Sequence, residues 1–183
     1  MNVHRFEKVW IAASMVLIVA WIATVTWGAV GPPGIAMIDD SGGTVDAGAI
    51  GDGEYSDAFR EPGVYRVGED HYAVYVVSRQ FAFDPGTSTA VEVPADSRVT
   101  FYVTSSDVIH GYSVVGTNVN AMVIPGQVTK MTVEFDEPRT YGVVCNEYCG
   151  AGHHTMAGTI EVVPAEEFDG PSGSTSGDGG EGA

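Results

Sequence analysis

Basic residues are scarce. The 183-residue chain carries 8 Lys and Arg against 24 Asp and Glu, a formal net charge of −16. Nucleic-acid binding needs Lys and Arg to neutralise phosphates, so this composition argues against it. The acidic excess suits a surface solvated in high salt. Cysteine is scarcer still: there are 2, both in one short stretch. There is no C-x-x-C-H haem-attachment motif. Nor is there a phosphate-binding glycine loop, an internal repeat or a Ser-His-Asp arrangement with a motif behind it.

The length leaves room for one domain plus appendages. Residues 1–8 carry Arg5 and Lys8. Residues 9–30 read as a membrane helix, with no charge from Trp10 to Val30. At helical rise that run spans about 30 Å, the thickness of a bilayer core. Trp10 and Trp27 stand near its ends, where aromatic rings favour the water interface. A cleaved signal peptide would have a shorter apolar region and a small-residue cleavage site. Asp39 and Asp40 are the first charges after the run. The positive-inside rule then leaves the N-terminus in the cytoplasm and the rest of the chain outside. Gly31-Pro32-Pro33-Gly34 ends the helix. Residues 31–63 are rich in Gly, Asp and Ala and read as an extended linker, either a tether on a partner or domain or a plain flexible one.

Residues 64–165 read as β. Tyr72–Val77 is one strand. Val91-Glu92-Val93 runs into the turn at Pro94–Ser97. Val99, Phe101 and Val103 alternate with Thr100, Tyr102 and Thr104, as a half-buried strand would. Met131, Val133 and Phe135 repeat the pattern. Thr140–Val144 and Gly158–Val163 are the last two strands. Short strands between turn signals indicate a mainly β fold, a β-sandwich. Residues 166–183 form a Gly-, Ser- and acid-rich tail that reads as disordered.

Between the last two strands lies Cys145-Asn146-Glu147-Tyr148-Cys149-Gly150-Ala151-Gly152-His153-His154-Thr155-Met156. Thiolate, imidazole and thioether together select copper or another soft metal over magnesium or calcium. A mononuclear blue-copper site would use one Cys, two His and a weak Met. The second cysteine exceeds that set, and two thiolates can hold two copper ions between them. A disulfide and a tetrahedral zinc site are the other readings of the pair. A copper reading needs a further histidine upstream, and His110 supplies it at the edge of an apolar, strand-like run. His154 competes with His153; the spacing from Cys149 and to Met156 favours His153.

The loop Cys145-x-Glu147-x-Cys149-Gly150-x-x-His153-x-x-Met156 resembles the dinuclear copper A loop of cytochrome c oxidase subunit II. Asp107-Val108-Ile109-His110-Gly111 and Ile124-Pro125-Gly126 match that family's pattern too. The resemblance runs from about Tyr72 to Val163, and the single membrane helix resembles the ba3-type branch. It implies a cupredoxin-like β-sandwich behind one N-terminal transmembrane helix, with two copper ions held by His110, Cys145, Cys149, His153 and Met156. The backbone carbonyl of Glu147 would be the remaining weak ligand. A Glu at that position helps to hold magnesium at the subunit I contact in many relatives; the one-helix branch commonly has Gln there. The implied partners are the lipid bilayer, oxidase subunit I, and cytochrome c or a small blue-copper donor. Phe83 is expected at the surface where electrons enter. The alternatives are a membrane-anchored mononuclear cupredoxin carrier and the copper A subunit of a nitric oxide reductase.

Overall fold

The computed structural model describes residues 4–30, 37–39 and 42–171, in two compact units that divide after Ile35. The first unit holds helix α1 (Arg5–Val30). It begins four residues before the expected residues 9–30. His4 N donates to Glu7 Oε2 at 2.8 Å, and the Glu7 and Lys8 amides return to His4 O. A side chain that reaches back to an unpaired N–H is how a helix start is capped. Arg5–Thr26 is long and apolar enough to cross a membrane, and its side chains are exposed within the unit. The Trp27 ring lies outside the described side chains.

The second unit is a sandwich of two sheets. The strands are β1 (Met37–Asp39), β2 (Gly63–Arg66), β3 (His71–Arg79), β4 (Ala82–Asp84), β5 (Val91–Pro94), β6 (Ser97–Ser105), β7 (His110–Val114), β8 (Asn120–Val123), β9 (Thr129–Phe135), β10 (Arg139–Val144) and β11 (Ala157–Val163). One sheet runs β1-β9-β6-β3-β2, with β4 on the end of β3. The other runs β5-β11-β10-β7-β8. The β3–β6 and β5–β11 pairs are parallel; the rest are antiparallel. Val74, Val76, Val99, Phe101, Val103, Met131, Tyr112 and Ile160 fill the space between the sheets. Burying apolar area of this kind is the main favourable term in folding.

Strand β6 departs from simple alternation. Thr100 and Thr104, expected on an open face, are buried as deeply as Val99 and Phe101. Thr100 Oγ1 lies 2.9 Å from His71 Nε2 and 3.0 Å from Thr132 Oγ1, Thr104 Oγ1 donates to Gln127 O at 2.7 Å, and a second small core packs beside them. Ile50, Phe59, Val77 and Val128 pack on the outer face, joined by Tyr75 and Tyr102. The Tyr75 and Tyr102 rings stack at 4.8 Å, and Phe59 meets Tyr75 edge-on at 5.3 Å. Phe59 and Ile50 belong to the stretch expected as an extended linker. Here a short helix α2 (Ala47–Gly51), capped by Asp46, brings Ile50 onto the sheet. Residues 31–36 and 40–41 lie outside the described ones. So do residues 172–183 of the acidic tail, whose earlier Phe168 packs edge-on against Tyr72 at 5.3 Å.

Candidate metal centre

Strand β10 ends at Val144 and β11 begins at Ala157, so residues 145–156 cross the end of the sandwich as one loop. The two strands pair from Arg139↔Val162 to Val144↔Ala157, which fixes both ends. Cys145 N also donates to Met156 O at 3.2 Å, closing the base. A short 3-10 turn at His153–Thr155 reverses the chain. Strand β7 pairs with β10, and its first residue, His110, arrives beneath the loop.

Six donors converge there. The Cys145 and Cys149 sulfurs are 3.8 Å apart, both buried and both free. A disulfide bond is about 2.04 Å, so they are unlinked. His110 is 0 % exposed, and its Nδ1 lies 3.8 Å from Cys145 Sγ. His153 Nδ1 lies 3.6 Å from Cys149 Sγ. Met156 Sδ stands 3.7 Å from Cys149 Sγ, and Glu147 O stands 3.1 Å from Cys145 Sγ. His110, Cys145 and Cys149 have their donor atoms within 4.8 Å of one another. His153 stands outside that group and reaches the site through Cys149. Each sulfur therefore has its own imidazole and its own weak donor. This set suits a soft metal held by both sulfurs.

The imidazole of His110 is oriented from behind. Its Nε2–H donates to Asp107 Oδ1 at 2.8 Å, which leaves the Nδ1 lone pair facing the sulfur. Asp107 also accepts from Gln80 N at 2.7 Å and Val108 N at 2.6 Å. Burial pushes the Asp107 carboxyl up, but these hydrogen bonds outweigh it and hold its pKa below the ordinary value. The Cys149 thiol is pushed up to about 11, by burial first and then by its contact with Cys145. The metal-free loop thus keeps the Cys149 proton at neutral pH.

Gln80 and Phe81 hold the loop from the other sheet. Gln80 Nε2–H donates to the Cys149 carbonyl. A Cβ at Gly152 would sit 2.5 Å from the Phe81 ring, and one at Gly150 would sit 2.6 Å from Gln80 Nε2. Gly150 also has φ +131°, which favours glycine. Asp107, Gln80 and Phe81 were not assigned roles from sequence. Asp107 does stand three residues before His110, and Gln80-Phe81 lies in the aromatic segment beside Phe83. Phe83 itself, expected at the electron-entry surface, is a core residue. It is 2 % exposed and packs edge-on against Tyr112 at 5.3 Å. Its strand neighbours alternate faces, and its own face is the inner one. His154 is exposed, and so is Tyr148, at 80 %.

Residues 74–163 match the family model "Cytochrome C oxidase subunit II, periplasmic domain". The chain is 33 % identical over 166 residues to cytochrome c oxidase subunit 2 of Thermus thermophilus, spanning 86 % of this chain and 91 % of that protein. A second Thermus thermophilus protein of the same name is 43 % identical over 99 residues, 54 % of this chain and 71 % of that one. Among solved structures, a chain of a heme-copper terminal oxidase dimer superposes with TM-score 0.65 at 31 % identity, over 87 % of this chain and 100 % of that one. The periplasmic domain of subunit II of cytochrome oxidase from Bradyrhizobium japonicum shares the fold, with TM-score 0.50 at 21 % identity over 52 % of this chain and 86 % of that one.

Proposed function

The chain belongs to the cytochrome c oxidase subunit II family, and from that premise we propose that residues 145–156 and His110 hold a dinuclear copper centre through which electrons enter a haem–copper oxidase. One observation carries the reading: two free, buried thiols face each other at 3.8 Å with one imidazole nitrogen against each. Cys145 and Cys149 are the shared thiolates. His110 and His153 are the imidazole ligands through Nδ1. Met156 and the Glu147 carbonyl are the weak ligands. When bound, two coppers sharing two thiolates would spread one unpaired electron over both metals, which lowers the geometric change per transfer.

The chain's own work is to hold these donors still and dry. Asp107 fixes the His110 tautomer, so Nδ1 is free to bind. Strands β7, β10 and β11 anchor the loop ends, so little has to move when the charge of the site changes. Gln80 and Phe81 brace the loop between the cysteines and His153. Burial of both sulfurs and Met156 keeps bulk water from the metal.

Family membership supports the finer assignments of this reading. Electrons arrive from cytochrome c or a small blue-copper protein and leave to a haem in subunit I, where oxygen is reduced to water and protons are pumped. The Glu147 carboxylate is the group that would help to hold magnesium at the subunit I contact, as a Glu at this position does in many relatives. Helix α1 spans the membrane once, with Arg5 and Lys8 on the cytoplasmic side and the copper domain on the outer side.

The test is copper stoichiometry and electron spin resonance on the full chain in detergent. Two coppers per chain, with hyperfine splitting shared equally by two nuclei, are expected. One copper with single-nucleus splitting would make the protein a mononuclear carrier. No copper and two oxidised thiols would make the cysteine pair a structural disulfide.

A further inference from the structure

The two sulfurs of the site are not equally surrounded. Gly111 N–H donates to Cys145 Sγ at 3.4 Å. Cys149 Sγ has Cys145, His153 and Met156 as its neighbours, and the backbone N–H that acts on it is its own rather than one from a neighbouring strand. A donor on one thiolate draws electron density from it and favours the reduced, more electron-rich state of a bound metal.

The Gly111 amide is held in place from outside. A Cβ at Gly111 would overlap the Asn146 amide oxygen and lie 2.9 Å from Asn146 Cγ. Only glycine lets Asn146 close over this strand. Asn146 Nδ2–H in turn donates to Asn120 Oδ1 at 2.9 Å. The sheet order places β7 between β10 and β8. Asn146 follows β10 directly, and Asn120 opens β8, opposite Ser113 of β7. The side-chain bond therefore passes over β7 and ties the metal loop to the strand beyond the histidine.

We propose that Asn120 and Asn146 form a latch that holds the Gly111 N–H against the Cys145 sulfur and so raises the reduction potential of the centre. The latch rests on the dinuclear copper reading. Asn146 and Asn120 touch no metal; they are positioning residues that act through Gly111. A solvent-exposed Asn–Asn pair with only a structural role would change stability and leave the potential where it was.

The experiment uses the full chain, copper-loaded in detergent, with midpoint potentials from a spectroelectrochemical titration. Asn120→Ala removes the acceptor from an exposed position on a strand. Gly111→Ala puts a methyl group where Asn146 lies. Both are expected to keep two coppers and the shared hyperfine pattern. Both should lower the potential, changing the ratio of oxidised to reduced centre at fixed potential by up to about tenfold, which is about 59 mV for one electron. The double variant should shift no further than the larger single one, because both act on the same N–H. If Gly111→Ala does not fold, Asn146→Ala removes the same covering group. A ratio for Asn120→Ala within twofold of the parent would overturn the latch, as would fully additive shifts or the loss of copper from Asn120→Ala. A parent protein with one copper overturns the dinuclear reading itself, and that outcome is seen before any substitution is made.

Discussion

Replacing Asp107 with Asn changes one atom and removes a charge. Asp107 Oδ1 accepts from His110 Nε2 at 2.8 Å and Val108 N at 2.6 Å, while Oδ2 accepts from Gln80 N at 2.7 Å. An amide has only one oxygen to offer. If that oxygen faces His110, the amide NH2 confronts the Gln80 N–H. If it faces Gln80, the amide NH2 confronts Nε2 and drives the His110 proton to Nδ1, where it points at Cys145. Either arrangement leaves a donor unmet, at about 1–3 kcal/mol. Losing the partner of a ligating histidine costs roughly 10–100-fold in metal affinity. Asp107 is 31 % exposed, so water can partly replace the lost acceptor and the lower end applies. Copper affinity should fall about tenfold, or about 1.4 kcal/mol. Competition against a copper(I) chelator reads this directly. An affinity within twofold of the parent would refute the claim that Asp107 selects the tautomer. A second readout is acid stability. The folded Asp107 pKa lies below its ordinary 3.8, so its contribution is complete above that value and is lost as pH falls through the lower folded one. Asp107→Asn should remove that part of the acid dependence of the metal-free protein.

Other consequences are as direct. Phe59→Ala should destabilise the domain by about 3–5 kcal/mol in denaturant titration, because it empties a 0 %-exposed site in the outer core. A cost under about 1 kcal/mol would mean that residues 42–61 do not stay on the sheet. Gly152→Ala should cost about 1–3 kcal/mol through collision with the Phe81 ring, and it should slow copper uptake in stopped-flow mixing. Copper affinity should climb with pH between 6 and 8, by at least about tenfold per unit, since Cys149, whose thiol is raised to about 11, must give up its proton to bind as a thiolate. A flat affinity over that range would show that the metal meets an already ionised thiol.

The long apolar helix and the Cys/His/Met loop were legible because each is a local property. An uncharged run of helical length needs no other part of the chain to explain it. Cys145, Cys149, His153 and Met156 lie within one loop, so their spacing carries their geometry. His110 was found because the loop demanded a partner. The alternation of β6 was legible as well, but it said which faces exist and not what covers them. The outer face of that strand carries a second core built with Phe59 and Ile50, which arrive from a stretch with no strand or long-helix pattern. Phe83 shows the same limit from the other side. Its aromatic ring was compatible with a docking surface as well as with a buried strand face, and only the sheet's pleat placed it inward against Tyr112.

By itself, then, the sequence determined the apolar helix, the strand pattern and the identity of the candidate donor atoms, because those depend on composition and short-range period. The tertiary structure alone decided which groups steer the donors. Gln80 meets Cys149 across 69 positions of chain, Gly111 meets Cys145 across 34, and Asn146 meets Asn120 across 26. No local pattern records such pairs, since the pairing of β10 with β7 and β11, and the closure of one sheet over the other, bring them within hydrogen-bond reach.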